Sequence, residues 1–265
     1  MRYSNLHNHS TFSDGKYSME ETVLSAIEKN MVSLGFSDHS FTPCDTSYCM
    51  KEERYQEYLD TIAALKQKYA DRIDLFAGIE LDYYTEMDTS ALDYVIASAH
   101  YIIENGICYP IDHSSQQQKQ CIEAFGGDVL AMAQRSFDIM VDHVSRSKPT
   151  FVGHFDVITK YSLMPEEDPR YREIACRALE KILKVCPYIE MNTGPIARGL
   201  RTMTYPCEYL LDTIRENGGE IILSSDSHRT EHLIYFFDEA VALLKQAGFD
   251  HICQFTGKGF KKVAI

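Results

Sequence analysis

Residues 2–39 read RYSNLHNHSTFSDGKYSMEETVLSAIEKNMVSLGFSDH. A short strand, Arg2 to Leu6, runs into His7-Asn8-His9, and after a polar turn comes an amphipathic segment, Met19 to Asn30. A second strand, Ser33 to Ser37, then leads into Asp38-His39. The helix start is marked by Ser18 with Glu21 three residues on, the spacing of a capping box, in which two side chains satisfy backbone N–H groups that the helix leaves free. Strand, helix and strand in this order make one crossover unit of a parallel sheet.

The same rhythm continues outward. Strands are expected at Leu75 to Leu81, Tyr94 to Ala99, Thr150 to Gly153, Tyr188 to Met191 and Glu220 to Ser224. Helices are expected at Glu52 to Tyr69, Gly127 to Ser147, Tyr171 to Val185, Pro206 to Asn217 and Glu231 to Ala247, the last closed by Gly248. Such alternation implies an α/β fold whose parallel sheet is closed, or nearly closed, as a barrel. An open doubly wound sheet satisfies the same periodicity. Ile252 to Ile265 is expected to add a short edge piece, and with no linker or repeat in view residues 1–265 read as one domain.

Composition narrows the partners. The chain is 45% hydrophobic and 25% charged, with 26 Lys plus Arg against 39 Asp plus Glu, a formal net charge of −13. No basic run offsets that acidity, which argues against nucleic-acid polymers and anionic membranes. No apolar stretch approaches the roughly 18 residues of a transmembrane helix, and the start is polar, so a cytoplasmic protein is expected. The eight cysteines are scattered without a C-x-x-C pair and are expected to be reduced and mostly buried.

The ten histidines are unevenly placed. His7 and His9 end the first expected strand, His39 the second, His100 the fourth and His154 the fifth, while His228 follows the seventh. Glu80 lies near the end of the third, and Asp38 and Asp226 accompany His39 and His228. In a parallel barrel all these strand ends open on one face, where active sites are built. In an extended strand residues i and i+2 share a side, so His7 and His9 can reach one ion. Mixed imidazole and carboxylate donors suit Zn, Fe or Mn. His7, His9, Asp14, His39, Glu80, His100, His154, Asp226 and His228 exceed the capacity of one ion, so two or three are implied. Clustered divalent ions favour phosphoester hydrolysis, with hydroxide held by the ions as the nucleophile. The C-x5-R, D-x-D-x-T, P-loop and G-x-S-x-G signatures of other mechanisms are absent. His113, His143, His232 and His251 lack this placement and read as structural.

Taken together, His7-Asn8-His9-Ser10, Phe36-Ser37-Asp38-His39, Gly78-Ile79-Glu80, Ser98-Ala99-His100, Gly153-His154-Phe155-Asp156 and Ser224-Ser225-Asp226-Ser227-His228 resemble the polymerase and histidinol phosphatase (PHP) superfamily. Within it the chain is most similar to the free-standing histidinol-phosphatases, through Tyr58 to Tyr84, the Ala-His-Tyr-Ile around His100, and Glu190 to Gly194 followed by Arg198. The resemblance implies a distorted (β/α)7 barrel with a trinuclear metal centre. His7, His9, Glu80 and Asp226 would hold a first ion, and Glu80 would bridge to a second with His100 and His154. His39 and His228 would hold a third with a residue of the loop after His9. Many histidinol-phosphatases carry a histidine where this chain has Gly15, and Asp14 matches the Ser-Asp-Gly of other PHP phosphoesterases.

The reaction so implied is hydrolysis of L-histidinol phosphate. Arg198, Lys160 and Arg229 are the candidate phosphate partners, His228 is a candidate for protonating the leaving oxygen, and Asp38 is expected to orient a ligand ring. Two other readings stand beside it: another PHP hydrolase acting on a nucleotide bisphosphate or a short oligonucleotide, and a non-catalytic metal-stabilised module.

Overall fold

The computed structural model describes residues 1–265. Its strands are β1 (Ser4–Asn5), β2 (Ser33–Phe36), β3 (Asp74–Asp82), β4 (Tyr94–Ser98), β5 (Tyr101–Glu104), β6 (Ile107–Pro110), β7 (Phe151–Val152), β8 (Tyr188–Asn192), β9 (Glu220–Ser224), β10 (His251–Phe255) and β11 (Phe260–Ala264). Its helices are α1 (Met19–Glu28), α2 (Tyr55–Lys68), α3 (Ser115–Ala124), α4 (Val129–Ser147), α5 (Pro169–Leu183), α6 (Gly194–Ala197), α7 (Tyr209–Glu216) and α8 (Phe237–Gln246).

Seven strands form one sheet in the order β1-β2-β3-β4-β7-β8-β9, and each neighbouring pair is parallel. The two ends of the sheet meet: His9 N–H donates to the Ser227 carbonyl at 2.8 Å and Ser227 N–H to the His7 carbonyl at 3.0 Å. The barrel is thus closed by the segments just beyond β1 and β9, and the open doubly wound alternative falls away. The fold is a distorted (β/α)7 barrel.

Local chemistry sets the elements. The capping box at Ser18 and Glu21 forms as expected, Asp128 accepts from Leu130 and Ala131 at the start of α4, and Asp168 with Pro169 opens α5. Inside the barrel Tyr94 acts as a plug, its hydroxyl 3.0 Å from the Phe36 carbonyl and 2.5 Å from that of Leu6. A Cβ at Gly78 would fall 2.2 Å from the Tyr94 ring, and one at Gly35 would fall 2.3 Å from its hydroxyl, so both strands need glycine there. Leu6, Ile96, Phe151 and Ile222 complete this interior with Phe76, Cys253 and Phe255. Outside, α1 and α2 bury Met19, Val23, Tyr58 and Ile62 against β2 and β3, while α4, α5, α7 and α8 cover the other flank.

The structure departs from the sequence reading in four places. The β5–β6 hairpin, α3 and α6 appear where no element was expected, because α3 is polar, α6 is four residues long and the hairpin pairs only with itself. Ile252 to Ile265 adds no edge to the barrel; β10 and β11 make their own antiparallel ladder. The segment Glu231 to Ala247 is interrupted at Phe236, whose φ of 64° breaks the helix before α8 begins. Finally, Cys44 and Cys108 form a disulfide with Cα atoms 5.8 Å apart, which corrects the expectation of wholly reduced thiols; the other six are free. No helix is long and apolar enough to cross a membrane.

Candidate metal centre

The strand ends deliver the donors to one place. His7 and His9 follow β1, His39 follows β2, Glu80 sits near the end of β3, His100 and His154 follow β4 and β7, and Asp226 and His228 follow β9. Glu80 is the hub. Its Oε2 lies 2.8 Å from His39 Nδ1, 3.3 Å from His7 Nε2 and 3.6 Å from His9 Nε2. Its Oε1 lies 2.7 Å from His154 Nε2 and 3.1 Å from His100 Nε2. Asp226 Oδ1 is 3.0 Å from His9 Nε2 and 3.7 Å from His7 Nε2. Asp226 reaches inward from a left-handed backbone, φ 47°.

A third group forms at the rim, where Asp14 Oδ2 is 3.1 Å from His228 Nε2, and Asp14 Oδ1 is 3.7 Å from His39 Nε2 and 3.8 Å from His9 Nδ1. All nine expected donors therefore converge, in overlapping sets whose donor atoms lie within 4.8 Å of one another. The sets do not divide as cleanly as the resemblance implies: His39 reaches both Glu80 and Asp14, and His9 faces both the inner and the rim groups. Gly15 explains why Asp14 serves here. A Cβ at position 15 would sit 2.4 Å from the His9 carbonyl, so the turn leaves no room for a side chain there and presents its neighbour.

Do these residues fit divalent ions? His7 Nδ1 lies 2.6 Å from the Glu190 carboxylate, which can only accept, so that nitrogen carries the proton. His7 Nε2 faces Glu80 and Asp226 across 3.3 and 3.7 Å; burial opposes a charge on the ring, but Glu190, Glu80 and Asp226 raise it well above its ordinary value, so a cation bound there would take the place of its second proton. His7 Nε2, His9 Nδ1 and Glu80 Oε2 are buried without hydrogen-bond partners, an arrangement that a cation in the gap would satisfy. Burial, with His228 and His39 beside it, holds His9 down at about 3, so its ring is neutral as a ligand must be. Burial alone would raise Glu80 and Asp226. The surrounding imidazoles hold Glu80 well below the usual carboxylate range, and Arg198 and His7 do the same for Asp226. The donor set fits Zn-, Fe- or Mn-like ions.

The profile of the PHP domain matches residues 5–194. The chain belongs to the PHP domain family. A Schizosaccharomyces pombe protein named "Probable histidinol-phosphatase" is 26% identical over 89% of this chain and 83% of its own length. The histidinol-phosphatase of Lactococcus lactis is 25% identical over 99% of this chain and 97% of its own. A crystal structure of histidinol phosphate phosphatase from the same bacterium, complexed with zinc, L-histidinol and phosphate, has a TM-score of 0.73 at 24% identity, covering 98% of this chain and 99% of that one.

In this PHP domain the mouth of the barrel is a cavity of about 260 Å³ lined by Asp14, His39, His100, His154, Asp226 and His228 together with Arg198 and Lys160. Arg198 donates from Nη1 to the Asp226 carbonyl and from Nη2 to its carboxylate, each at 3.0 Å. Lys160 pairs with Asp112 at 3.1 Å. Arg229 stays outside the lining; its side chain is half exposed and its nearest carboxylate is Glu231 at 3.9 Å.

His228 Nδ1 donates to the Asp226 carbonyl at 3.0 Å, and its Nε2 faces Asp14 Oδ2 at 3.1 Å. Asp38, expected to orient a ligand ring, touches none. It accepts from the backbone and hydroxyls of Ser10 and Ser13, which pins the turn that carries Asp14.

His143 is structural as read, donating from Nε2 to the Leu81 carbonyl. His113, read in the same way, lines the cavity. Sequence reasoning gave no role to Glu190, Asp112 or Tyr48. The signal for Glu190 was a carboxylate in the middle of an apolar strand; Asp112 and Tyr48 lie in loops with no periodicity to read.

Proposed function

We propose that this chain, residues 1–265 acting as one unit, hydrolyses L-histidinol phosphate to L-histidinol and inorganic phosphate. The observation that carries this reading is the end-to-end similarity to the Lactococcus lactis histidinol-phosphatase, which spans 99% of this chain and 97% of that one. The cavity supports it: about 260 Å³ is just below the roughly 300 to 1,000 Å³ usual for ligand sites, and so suits a small monoester rather than a polymer.

In this reading His7, His9, Glu80 and Asp226 hold one divalent ion, Glu80 with His100 and His154 a second, and Asp14, His39 and His228 a third. Bound there, the ions supply Lewis acidity that offsets phosphate charge and makes water nucleophilic near neutral pH. Arg198 keeps two of its N–H groups on Asp226 and has others left for phosphate oxygens, while Lys160 adds a second positive charge at the rim. Glu190 fixes the tautomer of His7, and the Asp226 carbonyl fixes that of His228.

The Ser-Asp-Gly at residues 13–15 also favours a different small phosphoester, and one assay separates the two. Protein of measured metal content, loaded with Mn, Fe or Zn, is given histidinol phosphate, a nucleotide bisphosphate and a short oligonucleotide, and phosphate release is followed. The highest kcat/KM is expected for histidinol phosphate. No turnover of it, or a clear preference for a nucleotide, overturns the proposal.

A further inference from the structure

The rest of the cavity lining, which the reaction above leaves without a task, is Tyr48, Asp112, His113 and Val157. Tyr48 comes from the loop after β2, and Asp112 and His113 follow the β5–β6 hairpin, segments that the Cys44–Cys108 disulfide ties together. The Tyr48 ring meets the His113 ring edge to face at 5.1 Å and the His39 ring at 4.8 Å. An unbroken aromatic surface thus runs outward from a proposed metal ligand to the wall of the cavity. Asp45 Oδ2, 3.8 Å from His113 Nδ1, braces its far side.

A second observation points to a ligand at the same wall. Asp112 is 7% exposed, and its Oδ2 is taken by Lys160. Its Oδ1 is buried with no hydrogen-bond partner, and His100 Nδ1 lies 3.5 Å from it. A buried carboxylate oxygen is costly to leave unpaired and has lone pairs to offer.

We propose that Tyr48 and His113 are specificity residues that pack against an aromatic nitrogen heterocycle of the substrate, while Asp112 Oδ1 accepts from the ammonium group of the same molecule. This rests on the histidinol phosphate reading and assigns the end of the substrate remote from phosphorus. Rings packed at such spacings attract beyond the area they bury, and contacts remote from the reacting atom raise specificity through kcat/KM.

The test compares kcat/KM for histidinol phosphate with that for 2-aminoethyl phosphate, which keeps the ammonium and lacks the ring. The metal-loaded protein is expected to favour the former by about a hundredfold. Tyr48→Leu and His113→Leu should each shrink that ratio by about tenfold, mainly through KM, and Tyr48→Phe should keep it. The two leucine variants lie on different loops, and their unfolding midpoints show whether each is folded. If the parent protein releases no phosphate from histidinol phosphate, the proposed function falls and takes the wall with it. If it does so without discriminating, or if both leucine variants keep the ratio, the wall alone is wrong.

Discussion

Two groups of histidine and carboxylate lie at opposite ends of the barrel, and only one has the character of a metal centre. At the base, where β9 begins, Glu220 meets His251 at 2.5 Å and Lys262 at 2.6 Å, and Cys253 Sγ sits 3.5 Å away. Donor atoms of Glu220, His251 and Cys253 lie as close together as those at the mouth. Yet the carboxylate there already has a lysine, and His251 Nδ1 is engaged by Asp250. At the mouth no lysine enters the cluster, Arg198 reaches only Asp226, and buried nitrogens and oxygens face one another unpaired. Proximity of donors is therefore a weak sign. The stronger one is an excess of buried lone pairs and negative charge that the protein does not balance itself.

The sharpest way to break this contrast is to neutralise one carboxylate at each end. Both oxygens of Glu80 are used, one toward His7, His9 and His39 and the other toward His100 and His154. Glu80→Gln is expected to lose bound metal, measured by elemental analysis, and to release no detectable phosphate. Glu220→Gln should keep both metal content and turnover. Full metal in Glu80→Gln would end the argument from unpaired charge. Chelation should also lower the unfolding midpoint, because ions present at a hundred times their Kd stabilise the fold by about 2.7 kcal/mol per site. An unchanged midpoint after verified metal removal would mean that the mouth tolerates its own charge.

A smaller effect is expected one layer out. Glu190 is fully buried, accepts from His7 Nδ1 at 2.6 Å and from the His154 backbone at 2.7 Å, and touches no other proposed ligand side chain. Glu190→Gln keeps the shape and removes the charge, and should weaken metal binding or activity by about 10–100-fold. Titration of metal into the stripped protein reads this apart from catalysis. Affinity equal to that of the parent would leave Glu190 with a purely structural role.

Much of this was legible in the chain, for identifiable reasons. Strand–helix alternation is local, so the barrel strands β2 to β4 and β7 to β9 fell near where periodicity placed them, and donors at strand ends converge because parallel strands share a direction. What escaped depends on long-range contact. The pairing of Cys44 with Cys108 and the meeting of Tyr48 with His113 join segments distant in sequence. Asp38 shows the opposite error. Its place beside His39 suggested a partner for the ring, but alternation along the strand turns its side chain away, toward Ser10 and Ser13.

The smallest predicted effect belongs to the base, and its sign separates an ordinary ion pair from a hidden metal site. Burial would lower His251, but hydrogen bonds to Asp250 and Glu220 raise it above its ordinary 6.5. Burial would raise Glu220, yet Lys262 and His251 hold it below 4.5. A histidine raised in the folded state contributes stability that is complete below its unfolded value and is lost as pH rises through the folded one. A carboxylate lowered in the folded state contributes above its unfolded value and loses that share as pH falls through the folded one. The advantage of the parent over His251→Gln should therefore be greatest between about pH 4.5 and pH 6.5 and shrink above that window. Unfolding midpoints of both proteins at about pH 5.5 and about pH 9 measure it, with metal content followed alongside. A metal site would behave in the reverse way, because its ligands bind best when deprotonated: the gap would widen with pH, and His251→Gln would lose an equivalent of metal.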